Sequence, residues 1–276
     1  MTTERIDLYK YFNLPRPEKG EGYLNAYIPE ETERKPNRIR PAMLVIGGGA
    51  YFYISGREKE CIALQFLANS FTAFTLDYSV GPVHYPAQLL EGLMAIIYIR
   101  ENADKLHIDK EHVGAIGFSA GGHLCGMLAN LFDSDDAKKY LGGKVSLARP
   151  DAVILAYPVI TSGEKAHVGS FDNLCGDDKE LRAKLSLENC VKENSVPAFI
   201  WTTVEDNGVP SENSLLYAAS CKKHNVPFEL HMFEKGYHGL SLANDEVFAV
   251  NKPVQAWVGL ALTWLKERGF TLTDFD

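Results

Sequence analysis

The sequence predicts an α/β fold whose mostly parallel central sheet carries helices on both faces. Short apolar and β-branched runs alternate with longer stretches of helical apolar spacing almost to the C-terminus. A length of 276 residues is enough for one large sheet and its core, so one domain over 1–276 is expected. Hydrophobic residues at 46% and charged residues at 23% exclude a disordered or fibrous chain.

In chain order, strands are expected at 42–46 (AMLVI), 72–77 (TAFTLD), 113–118 (VGAIGF), 152–157 (AVILAY), 199–204 (FIWTTV) and 228–233 (FELHMF). Helix is expected over 87–103, where Leu89, Leu90, Leu93, Ile96, Ile97 and Ile99 recur at helical spacing, and over 120–132, 211–224 and 254–268. The stretch 161–195 breaks the rhythm. It is polar, charged and too long for a plain connection, and reads as a small, partly helical cap insertion over the end of the sheet where ligands bind in open α/β folds.

The net charge of -8 is spread without a basic run, which excludes a nucleic-acid or anionic-membrane footprint and leaves a small molecule as the expected partner. No apolar signal-peptide core opens the chain and no uninterrupted apolar run reaches roughly eighteen residues, so a cytoplasmic protein is expected. Five cysteines, an odd number without a C-x-x-C pair, read as free thiols. A homo-oligomer remains open.

The chemistry centres on GFSAGG, residues 117–122, directly after an expected strand and directly before an expected helix. A nucleophilic serine needs such a sharp turn to lift its hydroxyl above the sheet, and side chains two residues either side would collide with neighbouring backbone. Gly117 and Gly121 meet that demand around Ser119. A serine hydroxyl also needs a base, and the base an orienting carboxylate. His238, in EKGYHGL after the last strand, is the expected base; His84 and His167, also in loops, are rivals. Asp206, in EDNGVP after the strand FIWTTV, is the expected acid, with Glu205 as its neighbouring rival because strand-end register is not fixed by sequence. The chain order Ser, Asp, His is that of the α/β-hydrolases. Backbone donors for an oxyanion are expected from Ala120, which follows the serine, and from the loop Gly47-Gly48-Gly49-Ala50-Tyr51. That loop does not fit dinucleotide binding, since Phe52 stands where G-x-G-x-x-G needs glycine.

From about Arg40 onward the sequence resembles bacterial esterases and lipases of the α/β-hydrolase superfamily, in particular the acetyl-esterase or acetylxylan-esterase-like group. The resemblance rests on RPAMLVIGGGAYFYISGREKE, LDYSVGPVHYPAQ, GFSAGGHL, EDNGVPSENSLLYA and HMFEKGYHGLSLA. Gly47 occupies the usual His or Pro place of the glycine loop, and Ala50 that of its last glycine. The resemblance then implies oxyanion donors at the amides of Gly49 and Ala50, with Gly48 as the alternative if the loop is shifted by one. It further implies hydrolysis of short-acyl, acetyl-like esters of a small soluble alcohol, such as an acetylated sugar, with no metal or organic cofactor. A peptidase or amidase using the same three residues, and a catalytically silent binding module, are the competing readings. Tyr51, Phe52 and Tyr53 are expected to crowd the acyl side, although at least one of them packing in the core is the plainer reading.

Overall fold

A computed structural model describes residues 1–31, 33 and 38–274. The chain opens with strand β1 (Thr2–Asp7), helix α1 (Leu8–Phe12), β2 (Tyr23–Ile28) and β3 (Arg38–Ile46). It then alternates through α2 (Glu60–Ala68), β4 (Thr72–Asp77), α3 (Ala87–Glu101), α4 (Ala103–Leu106), β5 (Ile108–Phe118), α5 (Ala120–Asn130), α6 (Asp135–Leu141) and β6 (Ala152–Ala156). After α7 (Val168–Cys175) and α8 (Lys179–Lys184) come β7 (Ala198–Thr203), α9 (Glu212–Lys223), β8 (Phe228–Phe233), α10 (Lys252–Lys266) and β9 (Thr273–Asp274). The main sheet runs β1-β2-β4-β3-β5-β6-β7-β8, with β9 pairing the start of β3. Among the described residues, only the β1–β2, β2–β4 and β3–β9 pairs are antiparallel.

The central strands read as continuous apolar runs because both of their faces are covered. In β3, Ala42, Leu44 and Ile46 face one core with Leu93, Leu124 and Leu128, while Met43 and Val45 face the other with Trp257 and Trp264. Helix α3 is buried nearly all round, and α10 buries the stripe Val254, Trp257, Ala261, Trp264 and Leu265, at helical spacing. The β3 and β5 strands begin at Arg38 and Ile108, ahead of the expected 42 and 113. Their extensions are partly exposed and joined through an irregularity between Arg40 and Ala42, so they lack a continuous apolar pattern. Among the described residues, no helix is long and apolar enough to cross a membrane.

Residues 161–195 carry α7, α8 and a short 3-10 turn, Leu187–Asn189. The charged side chains Glu164, Asp172, Asp177, Asp178, Lys179, Glu180 and Lys184 are exposed, whereas Phe171, Leu174, Leu185 and Leu187 are buried. Hydrogen bonds tie the segment down at several points. Asn173 Nδ2 donates to the Ala50 carbonyl at 2.9 Å, and the Tyr85 amide donates to the Leu174 carbonyl at 2.9 Å. Asn213 accepts the Ile160 and Thr161 amides at 2.9 and 3.0 Å and donates to the Lys165 carbonyl at 2.9 Å.

Candidate active site

The parallel strands end on one side of the sheet, so the loops after β3, β5, β6, β7 and β8 meet there. At the end of β5 the chain reverses at Ser119, which sits at φ 54° and ψ -120° before entering α5. For a residue with a Cβ this is a sparsely populated conformation, costing on the order of 1–3 kcal/mol, and it persists only where its surroundings fix it. The Ser119 amide donates to the Ala156 carbonyl at 3.0 Å, and the Ser119 carbonyl accepts the His123 and Val159 amides, each at 3.1 Å. The flanking glycines are steric necessities. A Cβ at Gly117 would lie 2.0 Å from the Gly121 carbonyl oxygen, and one at Gly121 would lie 2.3 Å from that of Ile46.

Three side chains predicted from sequence are brought together here. Ser119 Oγ lies 2.8 Å from His238 Nε2, and His238 Nδ1 lies 2.9 and 3.1 Å from the two carboxylate oxygens of Asp206. Asp206 Oδ1 also accepts the amides of Gly208 and Val209 at 2.9 and 2.8 Å, which fixes the carboxylate in the turn after β7. The Asp206 side chain is 1% exposed and that of His238 is 21% exposed, so the acid is shielded while the imidazole remains open to solvent.

The rivals lie elsewhere. Glu205 is exposed and accepts the Gly236 amide at 3.4 Å. In the turn after β7, Asp206 turns inward onto the Gly208 and Val209 amides while Glu205 faces solvent. His84 is exposed and bonds the Asn173 carbonyl. His167 pairs through Nδ1 with Ser170. Burial first, and then the neighbouring His238, lower the His167 pKa, with Asp206 acting in the opposite direction. It therefore lies near the Ser119 cluster without joining its hydrogen-bonded line.

The glycine loop is held in an unusual shape, with positive φ at Gly49 (124°), Ala50 (55°) and Tyr51 (57°). The Gly48 amide donates to Glu58 Oε2 at 2.8 Å. It is already committed, and this counts against Gly48 as an oxyanion donor. The Gly49 and Ala50 amides have no hydrogen-bond partner among the described residues, and the Ala120 amide opens α5 as one of its unpaired N-terminal donors. A Cβ at Gly48 would lie 2.9 Å from that of Ser119, which places the loop directly beside the serine.

Tyr51 is fully buried, and its hydroxyl bonds His123 Nδ1 at 2.9 Å, while Phe52 and Tyr53 are 69% and 55% exposed. The expected crowding by this aromatic trio therefore does not arise in that form. Tyr51, His123, Val159, Ser170, Phe171 and Leu174 line a gap too narrow for a water molecule. His123 donates through Nε2 to the Leu185 carbonyl, and burial pushes its pKa down to about 4, an effect that this carbonyl partly offsets. A cavity of about 590 Å³ lined by Tyr9, Arg16, His84, Tyr85 and Tyr140, among others, touches none of Ser119, Asp206 and His238. Sequence reasoning missed Glu58, Tyr157 and Ser241, whose hydrogen bonds join the site's loops and which no motif or spacing marks.

The fold is that of the α/β-hydrolases. The BD-FAE family matches residues 24–220, and the chain belongs to that family. It is 43% identical over 221 residues to endo-1,4-beta-xylanase B of Butyrivibrio fibrisolvens, a match covering 76% of this chain and 34% of that protein. It is 26% identical over 247 residues to the acetylxylan esterase of Xylanibacter ruminicola, covering 86% of this chain and 47% of the esterase. The chain thus spans between about a third and a half of these curated relatives. An acetyl ester-xyloside bifunctional hydrolase from Caldicellulosiruptor lactoaceticus superposes with TM-score 0.83 at 38% identity, covering 97% of each chain. A carboxylesterase from Lactobacillus plantarum superposes with TM-score 0.85 at 28% identity, covering 99% of this chain and 100% of its own.

Proposed function

We propose that the chain hydrolyses carboxylic esters through an acyl-enzyme, with Ser119 as nucleophile, His238 as general base and Asp206 as the carboxylate that orients His238. The observation that carries this reading is the continuous line from Asp206 through His238 to the strained Ser119. His238 Nε2 takes the Ser119 proton as Oγ attacks the ester carbonyl, and the imidazolium then protonates the departing alcohol. A water activated by the same nitrogen releases the acid. Asp206 holds the imidazole tautomer and stabilises its charged form without taking the proton. The amides of Gly49, Ala50 and Ala120 receive the negative charge on the carbonyl oxygen.

The substrate within this reading is a short-acyl ester, acetyl in type, of a small water-soluble alcohol such as an acetylated sugar. Support comes from the charged outer face of residues 161–195, which we assign as a small cap on a chain that forms one hydrolase domain. The acetyl-ester names of two similar proteins point the same way. Covalent labelling by a fluorophosphonate probe, lost in Ser119→Ala, tests the mechanism. A series of p-nitrophenyl esters from acetate to palmitate tests the acyl group. Each methylene the site does not accept forfeits roughly 0.8 kcal/mol of burial. The expected maximum kcat/KM is at acetate or propionate with no jump above the micellar threshold, and an optimum at octanoate would refute the short-acyl assignment. Parallel assays of acetylated sugars and an aminoacyl amide separate the esterase from a peptidase.

A further inference from the structure

Glu58 is a buried carboxyl that the triad chemistry does not use. It ends the 3-10 turn Gly56–Glu58 and is 2% exposed. Burying such a group is unfavourable unless both oxygens find donors. Here Oε2 accepts the Gly48 amide and Oε1 accepts the Tyr157 hydroxyl, each at 2.8 Å. The Tyr157 hydroxyl accepts the Ser241 amide at 2.9 Å, and the Tyr157 ring meets the His238 ring edge-on with centroids 5.1 Å apart. Ser241 is itself fixed, since its hydroxyl donates to the Arg57 carbonyl and its carbonyl accepts Trp257 Nε1 at 2.9 Å.

One side chain therefore ties the strained glycine loop to the loop that carries His238. We propose that Glu58 is a positioning residue that sets the spacing between the Gly49 and Ala50 amides and the His238 imidazole. The inference rests on the serine-hydrolase reading. Its physical basis is that donors and base must be held in register to a fraction of an ångström, whereas these two loops come from distant parts of the chain. The glycine loop also has three consecutive positive φ values, a shape that needs fixing from outside. By occupying the Gly48 amide, Glu58 further selects which amides stay free for substrate.

Two variants break the link in different ways. Glu58→Gln keeps size and one acceptor, but when that acceptor serves Gly48, its amide group faces the Tyr157 hydroxyl as a second donor and leaves that proton without an acceptor. Tyr157→Phe keeps the ring on His238 and deletes both hydroxyl bonds. The measurements are kcat and KM on p-nitrophenyl acetate, the fluorophosphonate labelling rate and Tm, for wild type, both single variants and the double variant. Each single variant should lose about 10- to 100-fold in kcat and in labelling rate together, with KM within about twofold. The double variant should be no worse than about the more damaged single, because the Glu58–Tyr157 bond is lost in both. A kcat within about twofold of wild type, a loss confined to KM, or losses that multiply in the double variant would overturn the positioning role. If Glu58→Gln does not fold, Tyr157→Phe decides the matter alone. A wild-type chain that neither labels nor hydrolyses overturns the hydrolase reading itself, and this inference with it.

Discussion

Two buried carboxyls, Asp206 at the C-terminal edge of the sheet and Glu91 beneath the N-terminal flank, are bonded almost alike and serve opposite ends. Asp206 accepts two backbone amides and His238 Nδ1. Glu91, on α3, accepts the Tyr9 hydroxyl at 2.8 Å, the Ser79 amide at 2.6 Å and the Ser79 hydroxyl, so it locks α1 against the end of β4. Every donor to Glu91 is a neutral group inside the core. One donor to Asp206 is an imidazole that is partly open to solvent and bonds a strained serine. Hydrogen-bond saturation alone does not separate a working carboxyl from a structural one. What separates the two here is that the Asp206 bonds lead on through His238 to a strained serine hydroxyl, whereas those of Glu91 end in the core.

The sharpest way to break this contrast is at the reactive end. Ser119→Ala and Ser119-intact His238→Ala should each lower kcat by about 10⁴- to 10⁶-fold with little change in Tm, because either loss removes nucleophilic attack by the unit as a whole. A residual rate within tenfold of wild type would dismantle the assignment. Asp206→Asn should cost up to about 10⁴-fold in kcat by favouring the wrong imidazole tautomer, with Glu205→Gln near wild type. The reverse pattern would move the acid to Glu205. At the other end of the contrast, Glu91→Gln should leave kcat/KM on p-nitrophenyl acetate within about twofold.

The two regions also differ in how far the sequence discloses them. The central strands declare themselves as apolar runs because both faces are covered, and Ser119, Asp206 and His238 stand at strand ends where chain order and turn glycines mark them. The N-terminal flank gives no such signal. β1 exposes Thr2 to Arg5 and buries only Ile6, and β2 buries Leu24 and Ala26 alone, too short an alternation to separate from a loop. Glu91 stands in a stretch expected to be helix, but its partners Tyr9 and Ser79 come from elements that only the tertiary fold assembles. The same holds for Glu58, which reads as one more charge in GREKE until Gly48 and Tyr157 close around it.

The smallest effect is the one that tests burial itself, through the pH dependence of stability. Burial raises the Glu91 pKa from 4.5 to about 7, against the lowering effects of Ser79, Tyr9 and nearby Arg16. Between those values the folded chain holds a proton that the unfolded chain has released, so Glu91 contributes stability at low pH that is lost as pH rises through about 7. His123, on α5 beside Ser119, has the opposite sign. Its pKa falls from 6.5 to about 4, so the unfolded chain binds a proton that the folded one refuses, and stability is lost as pH falls through that window. The two slopes oppose each other over roughly pH 4.5 to 6.5. Removing one should expose the other. In urea titrations at stepped pH, Glu91→Gln should raise the slope of unfolding free energy against pH by about 1.4 kcal/mol per unit relative to wild type, and His123→Asn should lower it by a similar amount. The readout is a slope, so it is insensitive to any pH-independent packing loss at position 123. Two variants with the wild-type slope would show that neither group is held away from its unfolded pKa by burial.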